Sequence, residues 1–161
     1  MICGNHSSAI DPFLIAYSMG WRCQIHYMAK AELFRIPLIG FILRAIGMFP
    51  VDRQGGGAMA IKGAMRLLKD GEKVGMFPEG TRIRTEEESE AKTGAVRLAA
   101  RLGVPIVPVY LPRRKKFLRF NRIAIGAPYL VELDKKAAPE DVERAADELM
   151  AKIRQLGGAD E

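Results

Sequence analysis

The 161-residue chain predicts an α/β fold, a mainly parallel or mixed sheet flanked by helices. Three observations predict it. Short apolar stretches of strand length alternate along the chain with amphipathic stretches of helical period. Proline falls at helix starts (Pro12, Pro139) and glycine at helix ends (Gly71, Gly103). The content is 48% hydrophobic and 27% charged, ordinary for a globular protein. With no internal repeat and no long linker, residues 1–161 read as one domain.

The elements follow in order. "MICG" reads as the end of a strand whose beginning is missing, so either the N-terminus is truncated or the elements that would normally come before are lacking. Residues 12–19 form a short helix, with Asp11 and Pro12 as its start signal. Residues 22–28 form a strand. Residues 30–46 mix helix and turn around Pro37 and Gly40, and 48–52 form a short extended piece. Residues 58–70 form an amphipathic helix with Ile61, Ala64, Met65 and Leu68 on one face. A buried strand follows at 73–77, then a polar loop containing "TEEESEAK". A helix spans about 93–102. "VPIVPVY" at 104–110 is an apolar strand whose two prolines predict irregular or edge pairing. "RIAIGAPYLVEL" supplies one or two further strands. Pro139 opens a last helix with Val142, Ala146, Leu149 and Ile153 on one face.

The formal charge is +6, which favours anionic partners: nucleic acid, acidic lipid or phosphorylated small molecules. Cys3 and Cys23 have no metal-ligand spacing and suggest a reducing compartment. No apolar run reaches the roughly 18 residues of a transmembrane helix, and no signal peptide is evident.

Four stretches carry chemistry. "NHSSAID" places His6 and Asp11 five positions apart. An imidazole accepts a proton near neutral pH, and a carboxylate on its other nitrogen fixes the tautomer. On the residues alone Asp11 equally suits a helix N-cap. "FPEGTR" brings Glu79, Gly80, Thr81 and Arg82 out at a strand end. There glycine admits close backbone approach and arginine fits phosphate; a plain turn with a surface ion pair fits as well. "FPVDR" repeats the theme and offers Arg53 as a second phosphate contact or as a structural partner of a carboxylate. "RRKKFLRFNR" at 113–122 holds six basic residues in ten, with Phe117, Leu118 and Phe120 among them. That mix suits an anionic membrane surface, RNA, or a solvated loop.

The ordered set "NHSSAID", "GMFPVDR", "FPEGTR" and "VPIVPV" resembles the 1-acylglycerol-3-phosphate acyltransferases, also called lysophosphatidic acid acyltransferases, of the phospholipid/glycerol acyltransferase superfamily. The resemblance covers residues 3 to about 110 and implies a glycerol-3-phosphate acyltransferase-like fold. It implies that His6 and Asp11 are the catalytic pair. It implies acceptor contacts at Arg53, Glu79, Gly80, Thr81 and Arg82, and at Lys92 in "AKTG", where the family's usual preceding aromatic residue is absent. The implied activity moves an acyl group from acyl-CoA or acyl carrier protein to the free hydroxyl of 1-acylglycerol-3-phosphate or a related lysophospholipid. The serine-protease logic applies with the acceptor hydroxyl in place of serine. No metal and no tightly bound cofactor is expected, and no nucleic acid partner. The expected location is peripheral, on the cytoplasmic face of a membrane. Family members usually carry apolar or amphipathic helices before the first motif. Here "FRIPLIGFILRAIGMF" at 34–49 reads first as a core-packed helix pair and second as a membrane- or acyl-facing surface.

Two other classes fit parts of the sequence. "GGGAMA" at 55–60 matches a dinucleotide-binding turn, with Glu79 as its ribose acid. Residues 113–122 also suit a non-catalytic module for acidic lipid or RNA. No G-x-S-x-G occurs, which argues against a serine hydrolase. The two histidines, His6 and His26, are too few for a metal hydrolase. His26, between Ile25 and Tyr27, reads as a strand residue with a structural bond.

Overall fold

A computed structural model describes residues 1–20, 23–51, 58–82, 91–113, 115, 122–134 and 136–158. The strands are β1 (Ile2–Gly4), β2 (Ile25–Lys30), β3 (Phe49–Val51), β4 (Lys73–Met76), β5 (Val107–Tyr110) and β6 (Ala124–Ile125). The helices are α1 (Asp11–Ser18), α2 (Pro37–Ala45), α3 (Ala58–Lys69), α4 (Gly94–Leu102) and α5 (Pro139–Gly157), with a 3-10 turn at Ala31–Arg35. The strands join in one sheet, order β3-β2-β4-β1-β5-β6. All neighbours are parallel except β5 and β6. The alternation expected from the sequence is therefore present, and the sheet is mixed only through its last strand.

The two sheet faces are covered unequally. On one, α3, α4 and α5 bury the larger core, which includes Leu68, Val74, Val96, Ile106, Leu149 and Ile153. On the other, the smaller core is Ile2, Ile15, Ile25, Tyr27, Val109 and Leu111, with α1 supplying Ile15. Tyr27 lies flat against β4 because Gly75 faces it. A Cβ at Gly75 would sit 2.0 Å from the Tyr27 ring, so any side chain there would push the tyrosine off the sheet.

Several boundaries differ from the sequence reading. β2 begins at Ile25 rather than near residue 22. β5 is not an edge strand: it lies between β1 and β6, with Pro108 opposite Cys3. The Val107 N–H donates to Met1 O, so position 108 faces away from β1, where its missing N–H is tolerated. Residues 34–49 are not a core-packed pair. In α2 only Gly40 and Leu43 are buried. A Cβ on Gly40 would fall 2.4 Å from Phe34 O, so α2 rests on the 3-10 turn along a narrow strip. Leu38, Ile39, Phe41 and Ile42 are left exposed.

Candidate active site

Parallel β1, β4 and β5 lie side by side, so the segments leaving their C-terminal ends converge. Ligands of α/β sheets bind at such ends. His6 follows β1, Glu79 follows β4, and Arg113 and Lys115 follow β5. Asn5 ties the first of these segments to the third. Its side-chain amide donates to Leu111 O (2.7 Å) and its carbonyl accepts from Leu111 N–H (2.8 Å). Asn5 is buried, and these two bonds continue the β1–β5 ladder after regular pairing stops.

The His6–Asp11 pair forms. His6 Nδ1 lies 3.0 Å from Asp11 Oδ2. The same oxygen accepts the N–H groups of Ser7 (2.7 Å) and Ser8 (2.8 Å). Asp11 Oδ1 lies 2.8 Å from Lys115 Nζ. The Asp11 side chain is fully buried, which by itself would push its carboxyl up. The bonds from His6, Lys115, Ser8 and Ser7 outweigh burial and hold it below the usual aspartate range. Asp11 is therefore ionised near neutrality and acts only as an acceptor. Nδ1 must carry a proton, which in the neutral ring leaves the lone pair on Nε2. The rival N-cap reading fails: Asp11 is the first helical residue and its carboxylate turns back into the loop before α1.

Phe77 stacks on the His6 ring, centroids 4.0 Å apart, and Tyr27 stacks on Phe77 at 5.6 Å. This column fixes the imidazole plane, while the Asp11 bond fixes its rotation. The His6 side chain keeps 17% exposure, so its ring is open to a reactant.

Glu79 is fully buried and faces the protein. Its Oε2 accepts the His6 N–H at 2.6 Å and its Oε1 lies 3.2 Å from an Arg113 guanidinium nitrogen. This placement removes the acid that the dinucleotide reading needs for a ribose; Gly55, Gly56 and Gly57 of that motif lie outside the described residues. It also has a consequence for the loop. The N–H groups of His6, Ser7 and Ser8 all point to buried carboxylates, so none is directed at a reacting carbonyl.

The other expected contacts sit at the rim. Gly80, Thr81 and Arg82 are exposed. Gly80 is left-handed (φ +70°) and its N–H donates to Phe77 O, closing the turn that reverses the chain. The Lys92 N–H donates to Pro78 O at 2.7 Å, and a Cβ on Gly80 would meet Lys92 Cγ at 3.3 Å. Lys92 is thus brought beside the "FPEG" turn. Arg53 lies outside the described residues. So do Arg114 and residues 116–121 of the basic run, whereas Arg113 and Lys115 turn inward. His26 has its expected structural bond, Nδ1 to Gly47 O at 2.8 Å.

Sequence reasoning missed Asn5, Phe77, Arg113 and Lys115 as individual site residues. Asn5 and Phe77 are the opening residues of "NHSSAID" and "FPEGTR", motifs the sequence reading singles out for other members. Arg113 and Lys115 were hidden in a run of like charge.

A family model described as Acyltransferase matches residues 1–112. The chain is 44% identical over 108 residues to a 1-acyl-sn-glycerol-3-phosphate acyltransferase of Bacillus subtilis, covering 67% of this chain and 53% of that protein. It is 34% identical over 125 residues to the Borreliella burgdorferi protein of the same name, covering 76% and 49%. The chain spans about half the length of these relatives. Its fold matches the crystal structure of the 1-acyl-sn-glycerophosphate (LPA) acyltransferase PlsC from Thermotoga maritima, with a TM-score of 0.65 and 22% identity over 98% of this chain and 66% of that one.

Proposed function

Because the chain belongs to the Acyltransferase family, we propose that it transfers an acyl group from a thioester to the free hydroxyl of 1-acylglycerol-3-phosphate, giving phosphatidic acid. The carrying observation is the His6 imidazole held at Nδ1 by an ionised, buried Asp11. His6 Nε2 takes the acceptor hydroxyl proton as the oxygen attacks the thioester carbonyl. The imidazolium that forms is stabilised by Asp11. The tetrahedral intermediate collapses, the carbon–sulfur bond breaks, and the leaving thiolate takes the proton back from His6. Acyl-CoA or acyl carrier protein supplies the thioester, and the chemistry needs no tightly bound cofactor. Arg82 and Lys92, with Thr81 and Arg53, hold the acceptor phosphate, while Gly80 lets it approach the backbone. Residues 1–161 act as one acyltransferase domain.

The test is thiol release from palmitoyl-CoA with and without 1-acylglycerol-3-phosphate. Acceptor-dependent release with phosphatidic acid as product is expected. A folded protein giving no release on 1-acylglycerol-3-phosphate with either donor class would overturn the reading.

The 1-acylglycerol-3-phosphate acceptor partitions into membranes, and the exposed side of α2 fits an anionic bilayer. Leu38 and Phe41 are each 71% exposed, Ile39 and Ile42 40% and 44%, and Ile36 and Leu33 precede them in the chain. Lys30, Arg35 and Arg44 lie close to these residues in sequence and Glu32 is the one acid near them, while α2 itself contains none. No helix among the described residues is long and apolar enough to cross a membrane. Apolar side chains at the interface with cations beside them suit peripheral binding. Leu38→Asp/Phe41→Asp is expected to weaken sedimentation with phosphatidylglycerol-containing vesicles by about tenfold or more. Turnover of a short-chain, water-soluble acceptor should persist. Unchanged vesicle binding would remove this surface from the membrane contact.

A further inference from the structure

Lys115 stands out in the basic run because its ammonium is not in solvent. The side chain is 10% exposed. Its Nζ reaches Asp11 Oδ1 (2.8 Å), Ser7 Oγ (2.6 Å) and Pro112 O (3.1 Å). An ammonium has three donors, and three acceptors surround it. A buried lysine is costly unless paired and bonded in this way. Two of its three partners belong to the His6–Asp11 loop, 108 and 104 positions earlier in the chain.

We propose that Lys115 is a positioning residue for the general base: it holds the second oxygen of the Asp11 carboxylate and offsets part of the charge that Asp11 presents to His6. The inference rests on the reading of His6 as base. Hydrogen bonds hold Oδ2, and the Lys115 ammonium lies against Oδ1 as an ion pair, so the carboxylate is held at both ends and presents Oδ2 to His6 Nδ1 in one orientation. The charge effect is independent of that. Asp11 draws a proton toward the imidazole, and a cation on the opposite oxygen opposes it.

The groups facing this pair come from four places among the described residues. Asp11 lies in its own loop and helix start, Glu79 after β4, Arg113 and Lys115 after β5, and Tyr27 on β2 beyond Phe77. Arg113 is engaged by Glu79, and Lys115 is the cation on Asp11 itself.

Lys115→Met removes the charge at similar volume. The chain has two histidines, so the His6 ring signals in a nuclear magnetic resonance titration are identified by their loss in His6→Ala. In Lys115→Met the His6 midpoint is expected to move to higher pH by on the order of one unit. Lys115→Arg, which keeps the charge, should stay near the parent value. In turnover, the acid limb of kcat/KM should move the same way, so the loss of rate is greater at pH 6 than at pH 8.5. Lys115→Gln keeps a bond to Ser7 without the charge and gives the same test if the methionine variant does not fold. A folded neutral variant whose His6 midpoint stays within about 0.2 unit of the parent overturns the proposal, because a purely structural tie predicts that result. The titration needs no turnover, so absence of acyl transfer in the parent protein overturns the proposed function separately.

Discussion

His6→Ala is expected to lower acceptor-dependent thiol release by about 10²–10⁴-fold, the range for loss of a positioned acid–base group. The loss should fall on kcat with little change in KM for the acceptor, since the imidazole acts on a hydroxyl proton and the proposed phosphate contacts lie elsewhere. The fold should survive. Asp11 keeps the Ser7 and Ser8 amides and Lys115, Glu79 keeps the backbone N–H of residue 6, and the removed ring is partly exposed rather than buried in a core. Phe77 loses its stacking partner, which is worth about 0.5–1.5 kcal/mol. His6→Gln distinguishes proton transfer from packing: it restores volume and a polar tip without a basic nitrogen, and should stay as slow as alanine. Turnover of either variant within threefold of the parent, with identical chromatographic behaviour, would rule out His6 as the base.

The histidine–aspartate pair was legible in the sequence because both members lie in one loop, where spacing and geometry are nearly the same information. The alternation of strand and helix was legible for the same reason: period and turn residues are local. Sheet order was not, since nothing in the chain of β1 states that β4 and β5 will flank it. Glu79 was singled out as a residue, but its role depends on partners 73 positions before and 34 positions after it. Lys115 was absorbed into a cationic run, where charge density suggests solvent; burial of alternate members shows only once β5 places them beside two carboxylates. For α2, an apolar helical pattern describes a face without saying what covers it. The pattern suggested a packed pair, and Gly40 instead narrows the contact to one strip.

Glu79 is a residue whose loss should cost much stability, and this separates a frame residue from a substrate contact. Its carboxylate holds the backbone of the base and the guanidinium of Arg113, whose side chain is 12% exposed. Removing one member of a buried ion pair leaves the other charge without its counter-ion, at a cost of about 3–5 kcal/mol. Glu79→Ala should therefore lower the free energy of unfolding in urea by roughly that amount and abolish turnover, because the loop carrying His6 loses its anchor. Glu79→Gln keeps a carbonyl oxygen for the His6 N–H but removes the negative charge facing Arg113, so an intermediate loss of about 1–3 kcal/mol is expected. Adding Arg113→Met to Glu79→Gln should recover part of the stability, since it removes the buried cation that faced the lost charge, and a double-mutant cycle would measure that coupling. A residue that contacted the acceptor directly would behave otherwise: Glu79→Gln would leave unfolding within about 0.5 kcal/mol of the parent, as for a substitution away from such buried pairs, and raise the acceptor KM. The burial of both oxygens against the chain's own groups predicts the first pattern, with kcat and stability falling together and KM moving least.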